Sequence, residues 1–335
     1  VTPTTLLAQF FDTVPNPADT DVIMYDVLEY TSRLARLAAR YGRPNTGQMP
    51  VRSTVTYKGV TVKELIRIPP ELMDARALGS LSESAREQIV AQALQSVRMA
   101  LDRRLEWLRA QWLTAGALLN SDGAVPNTSL GTAYIDYPGT ENSTPIAVDL
   151  GWSASHIATT VSASWATSST DIRSDLQDAA HIVERDTGVY PRTVLLNSNT
   201  MNYILDNDNV TNTDEAKAEI FRNGTIRNLW GFEFVVYDAT WAIDTITMND
   251  SAGTEYFIPD DLVVLLDRNN TVAGRKIVEC KPDDLEAPVG HRGVYIWQDQ
   301  QEEHPHLLSQ GITWTGGPIV AVPDTMFVFY DVTAT

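Results

Sequence analysis

Ser80 to Leu119 carries the spacing of a single helix of about forty residues, roughly 60 Å long at 1.5 Å per residue. Globular helices usually run about 8–20 residues, and a small domain is about 30 Å across. A rod of this length cannot lie inside one compact core, so it must act as a strut joining distant parts of a flat or elongated molecule. Ser80 and Glu83 fit a capping box, in which each side chain satisfies an orphan amide at the helix start. Ile89, Ala93, Val97, Leu101, Leu105, Leu108 and Trp112 recur at steps of three or four and make one apolar stripe. Arg86, Glu87, Gln95, Arg98, Asp102, Arg103, Glu106 and Arg109 take the other side. Arg98 with Asp102, and Glu106 with Arg109, are spaced to meet, each pair worth about 0.2–0.5 kcal/mol. No Pro or Gly interrupts the run before Gly116, and Asn120 to Gly123 should end it. The stripe is Ala-rich and irregular, unlike a coiled-coil heptad. The flanking sequence is not helix-rich, which argues against an all-helical domain.

Residues 1–20 contain Pro3, Pro15 and Pro17 and read as an extended arm with a short apolar piece, Leu6 to Phe11. Asp26 to Arg40 has helical spacing at Val27, Tyr30, Leu34, Leu37 and Ala38, and Gly42 to Gly47 is a loop by composition. Thr54 to Ile68 alternates like two short strands turning near Lys58-Gly59. An isolated two-stranded ribbon is marginal in water, so this one needs something to lie on, and a neighbouring subunit is the natural candidate. After the strut, Leu130 to Leu150 reads as a second hairpin around Pro138-Gly139, and residues 151–170 as a linker or the lead-in to a helix. Thr170 to Gly188 is an amphipathic helix, with Thr170 as N-cap and Gly188 as stop. Short strands are expected at Thr193–Leu196, Phe232–Tyr237, Leu262–Leu266 and Tyr295–Gln298, with a short helix at Ser198–Asp206. Two further strands flank Pro323-Asp324. The class is α+β.

With 335 residues and 43% apolar content, the chain can hold one large or two ordinary domains with a real core. No run of 18 or more apolar residues exists, so no transmembrane helix is expected. The N-terminal Val-Thr-Pro-Thr-Thr lacks the basic flank and apolar segment of a secretory signal. One cysteine, Cys280, excludes an intrachain disulfide framework and a cysteine-based zinc cluster. The net charge of −18 is unevenly divided: residues 1–120 hold 14 Lys+Arg and 12 Asp+Glu, whereas residues 121–335 hold 11 and 31. Such an acidic second part is a poor nucleic-acid reader. Arg33, Arg36, Arg40, Arg43 and Arg52 lie in the near-neutral part. They read either as a solvated face or as partners for phosphates or an acidic neighbour.

No motif for catalysis rises above background. GxSxG, a P-loop, a GxGxxG after a strand and HExxH are all missing. Glu302, Glu303, His304 and His306 form the best metal-like cluster, but Pro305 between the histidines points to an exposed acidic loop. Asp206-Asn-Asp-Asn starts like a calcium loop and then fails, with Val210, Thr211 and Lys217 at ligand, glycine and closing-glutamate positions. His181 falls on the 171–187 helix as a surface or packing residue. A glycosidase-like carboxylate pair is neither excluded nor supported by spacing. No cofactor and no metal are expected.

The order of elements is distinctive: arm, two-stranded loop, long helix, hairpin, α+β domain and returning strands. With it, Leu65-Ile-Arg-Ile-Pro-Pro, the helix–strand segment 170–197 and Gly-Pro-Ile-Val-Ala-Val-Pro-Asp-Thr-Met-Phe-Val (317–328) resemble the major capsid proteins of tailed phages with the HK97 fold. The lambda-type major head proteins are the nearest group, and the resemblance covers nearly the whole chain. It implies an N-terminal arm at 1–40, an E-loop at 41–70 and a P-domain at 71–150 with spine helix 80–119 and a β-hairpin. An A-domain then covers 151–308, and closing P-domain strands 309–335. The implied function is a structural shell subunit, not an enzyme, forming hexamers and pentamers of an icosahedral head around dsDNA, assembled in the bacterial cytoplasm. Implied partners are further copies of the chain, a portal protein, a separate scaffolding protein, an optional decoration or cement protein, and packaged dsDNA held non-specifically, with no membrane. Loss of an initiator Met would account for the start at Val1, with a cleaved precursor as the alternative.

Intersubunit contacts are expected from Phe10 and Phe11 in the arm and from Arg43, Arg52, Tyr57, Lys58 and Lys63 in the E-loop. Some relatives cross-link an E-loop Lys to a neighbour's Asn. The lambda type does not, so no cross-link at Lys58 or Lys63 is expected. The competing readings are an encapsulin-like compartment shell, a carboxylate-based hydrolase, and a tail or decoration component.

Overall fold

The structure, a computed structural model, describes residues 5–18, 20–29, 51–68, 83–117, 130–135, 146–212, 226–242, 254–269, 271–284, 286–288, 290–300 and 308–333. Strands β1 (Asp12–Pro15) and β2 (Val22–Glu29) are followed by β3 (Val51–Lys58) and β4 (Val60–Ile68). Helix α1 spans Glu83–Leu113, ahead of β5 (Thr132–Ile135), β6 (Ile146–Asp149) and β7 (Ile157–Ala158). Helix α2 (Ile172–Thr187), β8 (Thr193–Leu196), α3 (Ser198–Leu205) and α4 (Asp208–Thr211) come next. Then follow β9 (Asn228–Leu229), β10 (Phe232–Val236), β11 (Thr240–Ala242), β12 (Thr254–Tyr256), β13 (Val263–Leu266) and β14 (Arg275–Glu279). The chain closes with β15 (Tyr295–Gln300), the 13-residue β16 (Leu308–Val320) and β17 (Phe327–Phe329).

These elements gather into two compact units. The first combines Val1–Met24, Thr56–Arg109 and Lys276–Ile319; the second combines Tyr25–Val55, Ala110–Arg275 and Val320–Thr335.

The first unit is organised by β16. On one side it pairs antiparallel with β4, from Val60 opposite Gly316 to Ile68 opposite Leu308. β15 pairs with it antiparallel, β14 joins the same sheet, and β1 runs parallel to β14 with Asp12 opposite Lys276. The glycines that would weaken an ordinary strand are needed here for close approach. A Cβ at Gly311 would collide with the Trp297 indole, one at Gly316 with the Val278 carbonyl, and one at Gly317 with the Tyr57 ring.

This sheet corrects the ribbon expected at 54–68. The turn at Gly59 exists, and its N–H is held by the Asp21 carbonyl at 2.7 Å. The two strands, however, do not pair with each other: β3 pairs with β2, and β4 with β16. β4 therefore has a ladder partner within its own chain. The helical reading of Asp26 to Glu29 also fails. Ile23, Tyr25 and Val27 alternate as buried residues of β2, so a period of two overrides the weaker helical spacing. Residues 30–50, the rest of that expected helix and the loop after it, lie outside the described residues.

Helix α1 has 31 residues, about 46 Å at 1.5 Å per residue. Gln88, Gln92, Gln95 and Arg98 are exposed, while Val97 and Leu101 are buried, as the stripe requires. From Leu105 to the end every residue is buried, so the helix changes from amphipathic to enclosed along its length. It ends at Leu113, six residues before the expected Leu119. Thr114 Oγ1 donates to the Ala110 carbonyl, and the Gly116 N–H reaches back to Gln111 with Ala115 and Gly116 both at positive φ. This C-terminal turn satisfies the last carbonyls before the chain needs Asn120. Ser80 of the expected capping box lies outside the described residues.

The second unit has a six-stranded sheet in the order β7-β17-β13-β8-β10-β9. β8 and β13 are buried at every position. Leu176, Ala180 and Val183 of α2 pack into one core with Val194, Leu196, Val263, Leu265, Phe327 and Phe329. Each fully buried aliphatic side chain of this kind contributes roughly 1.5–3 kcal/mol. Gly188 stops α2 in the left-handed region at φ 74°, as expected, but the N-cap is Asp171 rather than Thr170. The Asp171 carboxylate accepts from Ser174 N–H, while Thr170 donates to the Ser164 carbonyl. The strands of the hairpin expected at 130–150 are present as β5 paired antiparallel with β6, and its turn around Pro138-Gly139 lies outside the described residues. The two strands expected around Pro323-Asp324 are present as the end of β16 and β17, which belong to different sheets.

Candidate assembly elements

Within the first unit the N-terminal segment is fastened to α1 by a buried polar contact. Residues Leu7–Phe10 form one 3-10 turn, with Leu7, Phe10 and Phe11 buried. The Leu7 N–H donates to Glu106 Oε1 at 2.6 Å, and Arg109 Nη1 donates to Glu106 Oε2 at 3.0 Å. Glu106 is 1% exposed and Arg109 8%. The expected i,i+3 pair therefore exists, but as a buried pair rather than on a charged outer face. Arg98 and Asp102 make the other pair at 3.3 Å with Arg98 half exposed. The carboxylate of Glu106 has its charge matched by Arg109 and a second acceptor oxygen filled by a backbone amide, an arrangement that fixes chain geometry.

The root of the expected E-loop is fixed as firmly. Tyr57 is buried and its hydroxyl donates to the Pro318 carbonyl at 2.6 Å. Thr315, fully buried on β16, meets the Thr61 hydroxyl at 3.2 Å and accepts the Asp283 N–H at 3.2 Å. Lys58 and Lys63 project outward as exposed cations, paired with Asp21 and Asp283, each at 3.2 Å. An open groove of about 1000 Å³ runs beside them, lined by Asp21, Lys63, Lys281, Asp283, Asp284 and Trp297. Among the described residues its walls carry both signs of charge.

In the second unit Arg52 is exposed and lies 3.9 Å from Asp26. Burial drives the Tyr25 phenol up to about 12, against a hydrogen bond to Trp112 that lowers it and with Asp149 raising it further. Burial likewise raises the Asp261 carboxyl, opposed by a hydrogen bond from Tyr203 and reinforced by Asp331 and Asp260. His181 is exposed on α2, 3.4 Å from Glu184 and edge-on to Tyr190.

The expected contact residues thus divide. Phe10, Phe11 and Tyr57 are buried within their own chain, which leaves little of them for a neighbour. Arg52, Lys58 and Lys63 are exposed, and Arg43 lies outside the described residues. Glu302, Glu303, His304 and His306 also lie outside them. Among the described residues no three His, Cys, Asp or Glu side chains converge as a metal site, and no helix is long and apolar enough to cross a membrane. The Asn207–Asn209 stretch serves to start α4, the Asn207 side chain accepting the Asn209 N–H. Sequence reasoning missed the Glu106 contact, because nothing in a helix pattern says that one charged pair will be enclosed.

A family model described as phage major capsid protein E matches residues 1–309. A comparison with curated proteins finds no match. Among solved structures, a prophage protein of E. coli CFT073 assigned as a capsid protein aligns over 97% of this chain and 92% of its own, with TM-score 0.63 and 14% identity. The capsid structure of cyanophage P-SCSP1u aligns over 99% and 89%, with TM-score 0.56 and 13% identity. The capsid of an empty GTA particle aligns over 98% and 90%, with TM-score 0.51 and 14% identity. At these identities the likeness speaks for the fold, an α+β architecture of the HK97 type.

Proposed function

Because the chain belongs to the phage major capsid protein E family, we propose that its copies close into hexamers and pentamers of an icosahedral head that encloses dsDNA. Its role is structural: it is a major capsid protein of a virion head, and the hydrolase alternative falls with that membership. The observation that carries the finer reading is the family match across residues 1–309, joined to a chain in which the Lys58 and Lys63 side chains stand exposed on a firmly anchored root.

The division into arm (1–40), E-loop (41–70), P-domain (71–150), A-domain (151–308) and closing strands (309–335) is part of this proposal. So are a portal, a separate scaffolding protein, an optional decoration protein and assembly in the host cytoplasm. Many weak contacts per subunit, linked in a closed shell, give avidity beyond any single one. Arg52, Lys58 and Lys63 are offered as contact residues because their charges are exposed. The acidic balance of residues 121–335 would keep packaged DNA loosely held.

Negative-stain microscopy of the chain expressed with its genomic neighbours tests the assembly. Closed shells are expected, and discrete monomers under every condition would overturn it. DNA inside the shells fits a virion, whereas a tail-type cargo peptide would favour a compartment shell.

A further inference from the structure

The closing strand of the second unit is fastened by a buried histidine. Ala154–His156 form a 3-10 turn that leads into β7, and β7 pairs in parallel with β17, Ile157 opposite Val328 and Ala158 opposite Phe329. The His156 side chain is fully buried, 6.3 Å from the Phe327 ring between centroids. Its Nδ1 lies 3.1 Å from the Met326 carbonyl oxygen, and its Nε2 lies 3.2 Å from Asp186 Oδ2.

Both of those oxygens are acceptors. A neutral imidazole has one N–H and one bare nitrogen. In either tautomer, one ring nitrogen would set its lone pair against an oxygen at hydrogen-bonding distance and away from water, a costly arrangement. The imidazolium donates to both. Asp186 is held in its ionised form, lowered chiefly by its bond to Arg185 and further by His156, against the opposing effect of burial. Two more charges are near. Asp324 accepts the Ser153 N–H at 3.0 Å and its hydroxyl at 2.8 Å, which places an anion at the residue preceding the His156 turn. Arg185 is the opposing cation, but it is 66% exposed and spends its donors on Asp186 at 2.8 and 3.1 Å.

We propose that His156 is a doubly protonated clamp that ties the strand β17, through the Met326 carbonyl, to the end of α2, through Asp186.

Nitrogen-resolved NMR of the full, unassembled chain with labelled histidine reads the ring directly. Five histidines are present, and His156→Gln assigns the signal. At about pH 7.5 both His156 nitrogens should carry protons. One protonated and one bare nitrogen would overturn the proposal. Asp186→Asn, at a position one-third exposed, removes the anion without opening the core. Its His156 signal should change to a neutral tautomer, and an unchanged doubly protonated ring would refute the clamp through Asp186.

Discussion

In the second unit, α2 lays Leu176, Ala180 and Val183 on strands whose residues are buried at every position, and apolar side chains fill the space between helix and sheet. The central strand of the first unit is built otherwise. β16 buries Ser309, Gln310, Thr313 and Thr315 beside Ile312 and Trp314, and it passes its neighbours at three glycines that leave no room for a Cβ. Close backbone approach and the side-chain hydrogen bonds of Thr313 and Thr315 do there part of what side-chain volume does in the second unit. The N-terminal segment follows the same rule, with its 3-10 turn held by the enclosed Glu106. A volume-based core tolerates apolar swaps of similar size, whereas a polar-satisfied one fails when a single acceptor is removed.

The largest expected effect tests the polar side of this contrast. Glu106→Ala leaves Arg109 buried without its partner and the Leu7 N–H without an acceptor, at a cost of about 3–5 kcal/mol. Glu106→Gln keeps an acceptor for Leu7 and should cost less. Denaturant unfolding measures both, and hydrogen exchange at Leu7 should accelerate in the alanine variant first. A cost below about 1 kcal/mol would mean that the first unit does not depend on this contact. Next comes Leu176→Ala in the second unit, expected at about 2–5 kcal/mol from lost burial and the cavity left behind. Leu176→Met should recover most of that loss, whereas no conservative apolar replacement should rescue Glu106. If Leu176→Met proved as damaging as alanine, the distinction between the two cores would break.

Gly311→Ala sharpens the comparison at a smaller scale. The added methyl must displace the Trp297 indole, which also donates to the Thr313 hydroxyl at 3.2 Å. A loss of about 1–3 kcal/mol is expected, with a shift in tryptophan emission as the ring leaves its place. An unchanged spectrum would show that the indole has another resting position.

The second unit was the more legible of the two in the sequence. Amphipathic spacing from Ile172 to Thr187, the Gly188 stop and the apolar runs of β8, β10 and β13 all sit where the pattern put them. Local signals suffice there because each element buries one apolar face. The first unit was misread where pairing is non-local. Thr54 to Ile68 looked like a ribbon because both strands alternate, yet the partner of β4 lies some 250 residues away in sequence, as Val60 opposite Gly316 illustrates. The glycines of β16 could have hinted at it, since Gly311, Gly316 and Gly317 punctuate a strand that has no turn to make. The end of α1 was misplaced for a related reason: Ala115 and Gly116 close the helix through positive φ, and only the glycine announces that in sequence. Of the expected contact residues, the aromatic Phe10, Phe11 and Tyr57 are buried in the chain's own interior, which side-chain identity alone does not announce.

Lys63→Ala should have the smallest effect and separates folding from assembly. The Lys63–Asp283 pair is 53% and 74% exposed at its two ends, so solvent screens it and its loss from the free chain should cost under about 1 kcal/mol. If Lys63 contributes only to its own chain, shells of the variant should form at the wild-type concentration. If it meets a neighbouring copy, the shortfall should appear only on assembly, as a raised protein concentration for shell formation with an unchanged unfolding midpoint. Boiling wild-type shells in SDS completes the test, because the exposed amine is expected to form no covalent bond. Monomer bands would leave Lys63 a purely electrostatic contact, and a ladder abolished by Lys63→Ala would assign it a covalent one.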